Sequence, residues 1–502
     1  MSRFVPVAPG NARPALTDGV RHISYGDLPG LLEAEQRWLA GSGARRVALL
    51  ADNGCAWALT DLALDGLAAT NPGLLNVPMP GYFTPRQMAH VIDDAGVDAV
   101  LTDQPATLSR LHHGFAHAGV SARTGLSLWQ RVAPADARPV PAGTAKITYT
   151  SGSTAEPKGV CLSAAHLESV ARALASATAD LNLSRHLCLL PLATLLENLG
   201  GIYAVLLSGA TCDLPSLAET GMSYGALQPG RLTSAIAARQ PDSLILVPEL
   251  LRILVRATVL GWQPPASLRF IAVGGAHVSP ALLAHAERAG LPVYEGYGLS
   301  ECGSVVALNT PAHKRPGSVG RPLPHVQVRL DDRQQIIVRN SAMLGYLGDA
   351  PLAADGEIET GDLGHIDADG FVYVHGRLKN LLITGLGRNI APEWVERELQ
   401  QEPEIAAAIV AGEARPYLTA LISPSSSGTG PSLIDAAVAR ANSRLPDYAR
   451  VRRWALAAEP FTFTNGSLTA NGRLRRGQIL REHAQTLDWL YREPATAEEF
   501  CT

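Results

Sequence analysis

Lysine is nearly missing from this chain. Of 42 lysine and arginine residues only four are lysine: Lys146, Lys158, Lys314 and Lys379. Solvated cationic positions have gone to arginine, so each surviving lysine raises the question of what an ammonium group does there. Also lacking is any apolar run near the ~20 residues that span a bilayer, so no stable membrane insertion is expected. The opening stretch "MSRFVPVAPGNARPALTDG" has no apolar signal core, so export is not expected. Six cysteines, at 55, 161, 188, 212, 302 and 501, show neither metal-ligand spacing nor the density of a disulfide framework. Reduced thiols in cytoplasm follow as the expectation. A net charge of −4 gives no global pull toward nucleic acid. What remains is a chain of 502 residues, 46% hydrophobic and 18% charged. That is a soluble globular composition, too long for one core and suited to two or three domains.

Short β-rich runs alternate with helical stretches. "RRVALLAD" (45–52), "VDAVLTD" (97–103), "AKITYT" (145–150), "DSLILVP" (242–248), "LRFIAVGG" (268–275) and "LPVYEGYG" (291–298) read as buried strands. Helices are expected over 163–181 and over 279–290, the second with Ser279 as cap, Pro280 in the first turn and Gly290 at the end. The alternation predicts α/β layers with largely parallel sheets, while 311–346 reads as more antiparallel, with a strand at "QQIIVRN". Texture changes near 370–380, where a compact region of its own strands and helices begins.

Three stretches carry chemistry. In "ITYTSGSTAEPKGV" (147–160) a strand empties into a loop of Thr150, Ser151, Gly152, Ser153, Thr154, Ala155, Glu156, Pro157 and Lys158 ahead of a helix. Hydroxyls, backbone N–H groups and one lysine make a phosphate cradle, without the spacing of a Walker loop. In "VYEGYGLSE" (293–301), Tyr297 can stack on a base, Ser300 can contact phosphate and Glu301 can hold Mg²⁺ through oxygen. In "IETGDLGHIDADGFVYVHGRLKN" (358–380), Asp362 stands in a Gly-flanked turn with Arg377 and Lys379 downstream, and a fixed carboxylate there can accept ribose hydroxyls. Each stretch alone also reads as an ordinary turn.

Taken in order, "YTSGSTAEPKGVCLS", "YEGYGLSE", "TGDLGHIDADGFVYVHGRLKN" and "GLGRNIAPEWVE" resemble the adenylate-forming superfamily of acyl-CoA synthetases, peptide adenylation domains and luciferase. "FTFTNGSLT" and "GEARPYLTALISP" look most like long-chain acyl-CoA synthetase-like proteins. The resemblance implies a large N-terminal domain (1–377) of layered, mostly parallel sheets with helices and a small barrel-like subdomain. It implies a small α+β C-terminal domain (378–481) hinged near Lys379, with 482–502 as a tail. It also implies formation of an acyl-adenylate from ATP and a carboxylic acid, then transfer to a thiol, of CoA or of a phosphopantetheinyl carrier protein. By motif, Thr150 to Thr154 and Lys158 would hold the pyrophosphate end. Gly274, Gly275, Ala276, Glu295, Gly296 and Tyr297 would frame adenine. Ser300 and Glu301 would serve phosphate and Mg²⁺, and Asp362, Arg377 and Lys379 would grip the ribose side. Ala193, Thr194 and Leu195 offer no acidic anchor for an amino group, Glu197 being assigned to the start of the following helix, so the acid pocket reads as apolar, fatty or aryl.

Three positions depart from the pattern. Thr194 stands where many relatives carry a histidine or aromatic residue at the acyl site. Ala155 replaces a glycine of the phosphate loop. In "NGSLTANGRLRRGQI", Arg473 stands where the family has a catalytic lysine, with Asn471 and Gly472 forming the turn and Arg475 and Arg476 as solvated or fold-supporting charges. An arginine keeps the charge on a bulkier, planar group. Adenylation through Arg473, an amine or hydroxyl acceptor in place of CoA, and a catalytically impaired acyl- or nucleotide-binding protein all follow as readings of that change.

Overall fold

The structure, a computed structural model, describes residues 3–5, 10–71, 73–111, 114–133, 136–150, 157–223, 226–276, 278–353, 356–384, 389–426, 428–462, 465–469 and 472–492. The phosphate-loop residues Ser151, Gly152, Ser153, Thr154, Ala155 and Glu156, with Asn471, lie outside them.

All six apolar runs form strands. In the first sheet, Arg46–Leu50 (β1), Leu75–Pro78 (β2), Ala99–Thr102 (β3) and Thr144–Thr150 (β4) run parallel in the order β4-β2-β1-β3, and Lys158–Ser163 (β5) adds antiparallel to β4. Next comes a helix, Ala164–Ala177 (α1), capped by the Ser163 hydroxyl, which accepts from the His166 amide. The helix expected to run to 181 stops sooner. Thr178 donates back to the Leu174 carbonyl, and Ala179–Leu181 continues as a tighter 3₁₀ turn.

A second sheet contains Arg185–Leu187 (β6), Thr211–Asp213 (β7), Ser243–Leu246 (β8), Phe270–Val273 (β9) and Val293–Tyr297 (β10), parallel in the order β10-β9-β8-β6-β7. Between β6 and β7 the chain forms a π-helical turn over Asn198–Tyr203 and then Ala204–Leu207 (α2). Pro248–Val259 (α3) follows β8, and Pro280–Arg288 (α4) follows β9 with Ser279 capping as expected.

Both sheets are covered on both faces, which is why their strands read as unbroken apolar runs. Alternate residues take opposite sides. On β1, Val47 and Leu49 join the central core with α1 and with Trp57 and Leu62, while Ala48 and Leu50 pack outward against Met88, Val91 and Ile92. On β9, Phe270 faces the central core, whereas Ile271 and Val273 pack against Leu250, Leu254 and Leu282. The result is five layers, helices–sheet–helices–sheet–helices. The barrel-like subdomain takes the form of an open four-stranded antiparallel sheet of Gln327–Leu330 (β11), Gln335–Arg339 (β12), Ile358–Ile366 (β13) and Val372–Arg377 (β14).

Beyond β14, Pro392–Gln400 (α5) and Pro431–Ser443 (α6) cover a three-stranded sheet of Ile405–Ala411 (β15), Leu418–Pro424 (β16) and Val451–Leu456 (β17). Leu487 and Leu490, from the segment after 481, bury against Ile409 and Leu421 on the other face of that sheet.

The four lysines divide by place. Lys146 is 1% exposed and ties the core together, its Nζ donating to Asp61 at 2.9 Å, to Asn198 at 2.6 Å and to Tyr203 at 2.8 Å. Lys314 pairs with Glu287 at the surface. Lys158 and Lys379 are taken up below.

Candidate active site

Parallel strands deliver their C-terminal ends to one edge of a sheet, where ligands of such folds bind. At that edge β9 runs into Gly274 and Gly275, and β10 into Ser300 and Glu301. These residues line a single cavity of about 2050 Å³ together with Thr150, Ala276, Glu295, Gly296, Tyr297, Asp362, Arg377, Lys379 and Arg473.

Asp362 is the best-fixed group there. It lies inside β13, not in the turn expected, because Gly361 takes a positive φ of 71° and the pairing shifts register at Leu363/Gly364, so the chain kinks without leaving the sheet. Asp362 sits directly opposite Arg377 on β14, and their side chains pair at 2.8 Å. Tyr297 donates its hydroxyl to the other carboxylate oxygen at 2.7 Å. The carboxylate is 4% exposed, yet its four lone-pair sites exceed these two bonds.

Glu301 accepts from the Tyr346 hydroxyl at 2.8 Å, and Lys158 Nζ stands 5.4 Å from the centre of the Tyr346 ring. Lys158 opens strand β5 instead of standing in a loop before a helix. Its neighbour across the antiparallel ladder is Thr150. A single carboxylate with free acceptor capacity, beside the Ser300 hydroxyl, suits Mg²⁺, which keeps most of its waters and takes few protein ligands.

Arg473 enters from the C-terminal region on a hairpin closed by bonds from the Gly472 amide to the Thr469 carbonyl and from the Arg475 amide to the Ser467 carbonyl, both 2.8 Å. Gly472 supplies the positive φ of 73° that this turn needs. The Arg473 guanidinium donates from Nε to the Gly275 carbonyl and reaches water through the cavity it faces. Burial and the adjacent Arg377 push its pKa below the ordinary value, while Asp362, Tyr297 and Glu301 act the other way. Lys379, in the 3₁₀ turn Leu378–Asn380, is likewise lowered by burial and then by Arg377, with Arg473 adding to the effect. Three cations thus gather at Asp362, with Glu301 acting on Arg473 and Glu393 on Lys379. Of the two other arginines of that stretch, Arg476 pairs with Glu396, and Arg475 is exposed.

The second limb of the cavity is apolar, lined by Ala193, Leu195, Val205, Ala272, Val305 and Leu308 among others. Thr194 lines it too, but its hydroxyl is spent on the Pro191 carbonyl at 2.6 Å. Glu197 stands at the start of the helical stretch, as expected, and is also fully buried, its carboxylate bonded to His186 at 3.1 Å and to the Leu190 amide at 3.3 Å. Gly201 leaves it room, since a Cβ there would lie 2.4 Å from the carboxylate oxygen.

The AMP-binding enzyme family matches residues 7–347, and its C-terminal domain matches residues 379–495. The chain belongs to the AMP-binding enzyme family. A long-chain-fatty-acid–CoA ligase of Mycobacterium bovis, FadD15, is 33% identical over 249 residues, which is 44% of this chain and 42% of that protein. The chain therefore spans less than half of that relative's length in the match. An anthranilate CoA ligase, AuaEII, solved with anthranoyl-AMP, superposes with a TM-score of 0.79 at 20% identity over 97% of both chains. An amide bond synthetase of Marinactinospora thermotolerans, McbA, superposes with a TM-score of 0.73 at 24% identity over 94% of this chain and 96% of the other. At these identities both are likenesses of fold.

Two contacts of this AMP-binding enzyme escape motif reading. Tyr346 holds Glu301 from 45 residues away, and nothing around "MLGYLGD" marks it. Arg397 of α5 donates to the Val374 and His375 carbonyls at 2.7 and 3.2 Å, docking the C-terminal helix on β14, where its charge acts on Glu295.

Among the carboxyls that burial raises, Glu295 is pushed to about 8, Asp65 to about 7 and Glu396 to about 7. An unfolded chain releases these protons near the ordinary values of 4.5 and 3.8, so between there and neutrality the folded state binds more protons. Stability is expected to fall as pH rises from about 4.5 to about 8, and Glu295→Gln to flatten part of that slope in urea unfolding at several pH values.

Proposed function

We propose that this AMP-binding enzyme activates an apolar carboxylic acid, fatty or aryl, as its acyl-adenylate and passes the acyl group to a thiol, of CoA or of a carrier protein's phosphopantetheine. The observation that carries the reading is the cationic end of the cavity, where Arg473 meets Arg377, Asp362 and Glu301, joined to an apolar limb. A carboxylate oxygen attacks the α-phosphorus of ATP, the bond to the β-side bridging oxygen breaks, and pyrophosphate leaves. Thiol attack on the acyl carbon then releases AMP, and the thiol proton goes to solvent.

Roles follow from position. Arg473 bridges the incoming carboxylate and the α-phosphate, holding together two anions that would repel by about 4 kcal/mol at ~4 Å and an effective dielectric of 20. Asp362 takes the ribose hydroxyls on the acceptor capacity left by Tyr297 and Arg377. Gly274 to Ala276 and Glu295 to Tyr297 frame adenine, Ser300 meets phosphate, and Thr150 to Thr154 with Lys158 hold the pyrophosphate end. Glu301 would hold Mg²⁺, which supplies charge neutralisation at the phosphates. Thr194 belongs to the acid site. Residues 1–377 and 378–481 act as the two domains, hinged near Lys379, and the segment after 481, expected as a tail, packs onto the smaller domain through Leu487 and Leu490. Among the described residues no helix is long and apolar enough to cross a membrane. A cytoplasmic setting is part of the proposal and is supported by the five buried free thiols.

The test is to incubate the protein with ATP, Mg²⁺ and a panel of fatty and aryl acids, then add CoA, a phosphopantetheinyl carrier protein or an amine. Acid-dependent pyrophosphate release and a thioester by mass spectrometry are expected. No release with any acid would overturn the reading, and an amide in place of a thioester would move the acceptor to amines.

A further inference from the structure

His186, Cys188 and Glu197 form a buried cluster that has no part in the proposed adenylation. Among the described residues it is the one place where three metal-binding side chains converge, with a ring nitrogen, a sulfur and a carboxylate oxygen all within 4.8 Å of one another. Their spacing along the chain makes no metal motif, so the fold supplies what the sequence does not show. His186 lies in β6, and Cys188 continues the strand direction, its amide bonded to the Asp213 carbonyl of β7 at 2.8 Å. Residues two apart on a strand share a face, here the one toward the central core. Glu197 returns to them at the head of the π-helical turn Asn198–Tyr203.

The donors are held from behind. His186 Nδ1 bonds the Ser243 hydroxyl of β8 at 2.9 Å, which leaves Nε2 facing Glu197 Oε1 at 3.1 Å. The other Glu197 oxygen accepts from the Leu190 amide at 3.3 Å. Fixing the second polar atom of an imidazole or a carboxylate is how metal sites orient their ligands. Gly201 keeps the centre clear, since a Cβ there would lie 2.4 Å from Glu197 Oε1 and 3.0 Å from Cys188 Sγ. The Gly201 carbonyl, 3.5 Å from that sulfur, offers a fourth donor.

The donor chemistry selects the ion. Nitrogen, thiolate and oxygen at four positions suit Zn²⁺, whereas Mg²⁺ and Ca²⁺ take six or more oxygens. A carboxylate and a thiolate also balance a divalent charge, which leaves a neutral unit in a core that water does not reach.

We propose that His186, Cys188 and Glu197 form a structural Zn²⁺ site that pins β6 to the π-helical turn. On binding, Cys188 releases its thiol proton to solvent. The ring proton of His186 passes from Nε2 to Nδ1, where Ser243 accepts it, and Nε2 becomes the ligand. His186 and Ser243 also line the main cavity, which gives the ion its route in. The site does not depend on the adenylation reading.

The experiment strips the full-length protein with a chelator and titrates it with Co²⁺, a spectroscopic substitute for Zn²⁺. One equivalent is expected to bind with a thiolate-to-cobalt charge-transfer band and the intense visible bands of four-coordinate cobalt. Zn²⁺ is expected to displace it and to raise the melting temperature. Cys188→Ser is expected to lose the charge-transfer band, and Ser243→Ala, which keeps all three ligands, to weaken Co²⁺ binding by about tenfold or more. Should Cys188→Ser fail to fold, X-ray absorption of the zinc-loaded wild type decides, with one sulfur at about 2.3 Å and nitrogen or oxygen at about 2.0–2.2 Å expected. No charge-transfer band in the wild type, a band that survives Cys188→Ser, or a zinc shell without sulfur would overturn the site.

Discussion

Arg473→Ala should abolish acid-dependent ATP–pyrophosphate exchange while leaving ATP affinity within a few fold of wild type. The guanidinium stands at the cavity end where Gly275, Asp362 and Glu301 converge, and its removal leaves carboxylate and α-phosphate to meet unshielded. A repulsion of about 4 kcal/mol restored in the transition state corresponds to a rate loss of roughly a thousandfold. The proposed adenine and ribose contacts come from other residues, so ATP binding should persist. Arg473→Lys keeps the charge and should retain exchange within about tenfold, although a lysine gives up the Nε bond to Gly275. Unchanged exchange in Arg473→Ala would take this residue out of the mechanism.

A second large effect is expected at Asp362. Asp362→Ala removes the one carboxylate that both Arg377 and Tyr297 engage, and it leaves Arg377 without its ion-pair partner beside Arg473 and Lys379. Breaking a buried pair costs about 3–5 kcal/mol, and the low end applies because water reaches Arg377. ATP affinity should fall by about a hundredfold or more, and the melting temperature should drop as well. Titration calorimetry with ATP and a thermal melt check both. Affinity within threefold of wild type would show that Asp362 does not hold the ribose. Asp362→Asn should lie between, since it keeps the shape and loses the charge.

Much of this is legible in the sequence. Strands buried on both faces announce themselves as apolar runs, and the helix at 279–290 carried its cap, its proline and its closing glycine in the expected places. Asp362, Arg377, Glu301 and Arg473 were found through motif order, and the fold brings them to one cavity end. What stayed hidden depends on partners distant in the chain. Asp362 reads as a turn residue because glycines flank it, and only its register against Arg377 shows a strand. Lys158 reads as part of a loop because the residues before it do, while its pairing with Thr150 makes it the start of a strand. Glu197 reads correctly as a helix-start acid, but its bond to His186 depends on packing that no local pattern shows. The apolar lining was expected at Ala193, Thr194 and Leu195, but Ala175, Ala204 and Phe270, which share no local pattern, line the same cavity.

In the proposed reaction the acid's own oxygen is joined to the α-phosphorus. Hexadecanoate carrying heavy oxygen in its carboxylate should therefore leave one labelled oxygen in the AMP recovered after thioester formation. Labelled AMP, read by mass spectrometry, is the predicted result. Product formation with unlabelled AMP, or with the label in inorganic phosphate, would contradict the account.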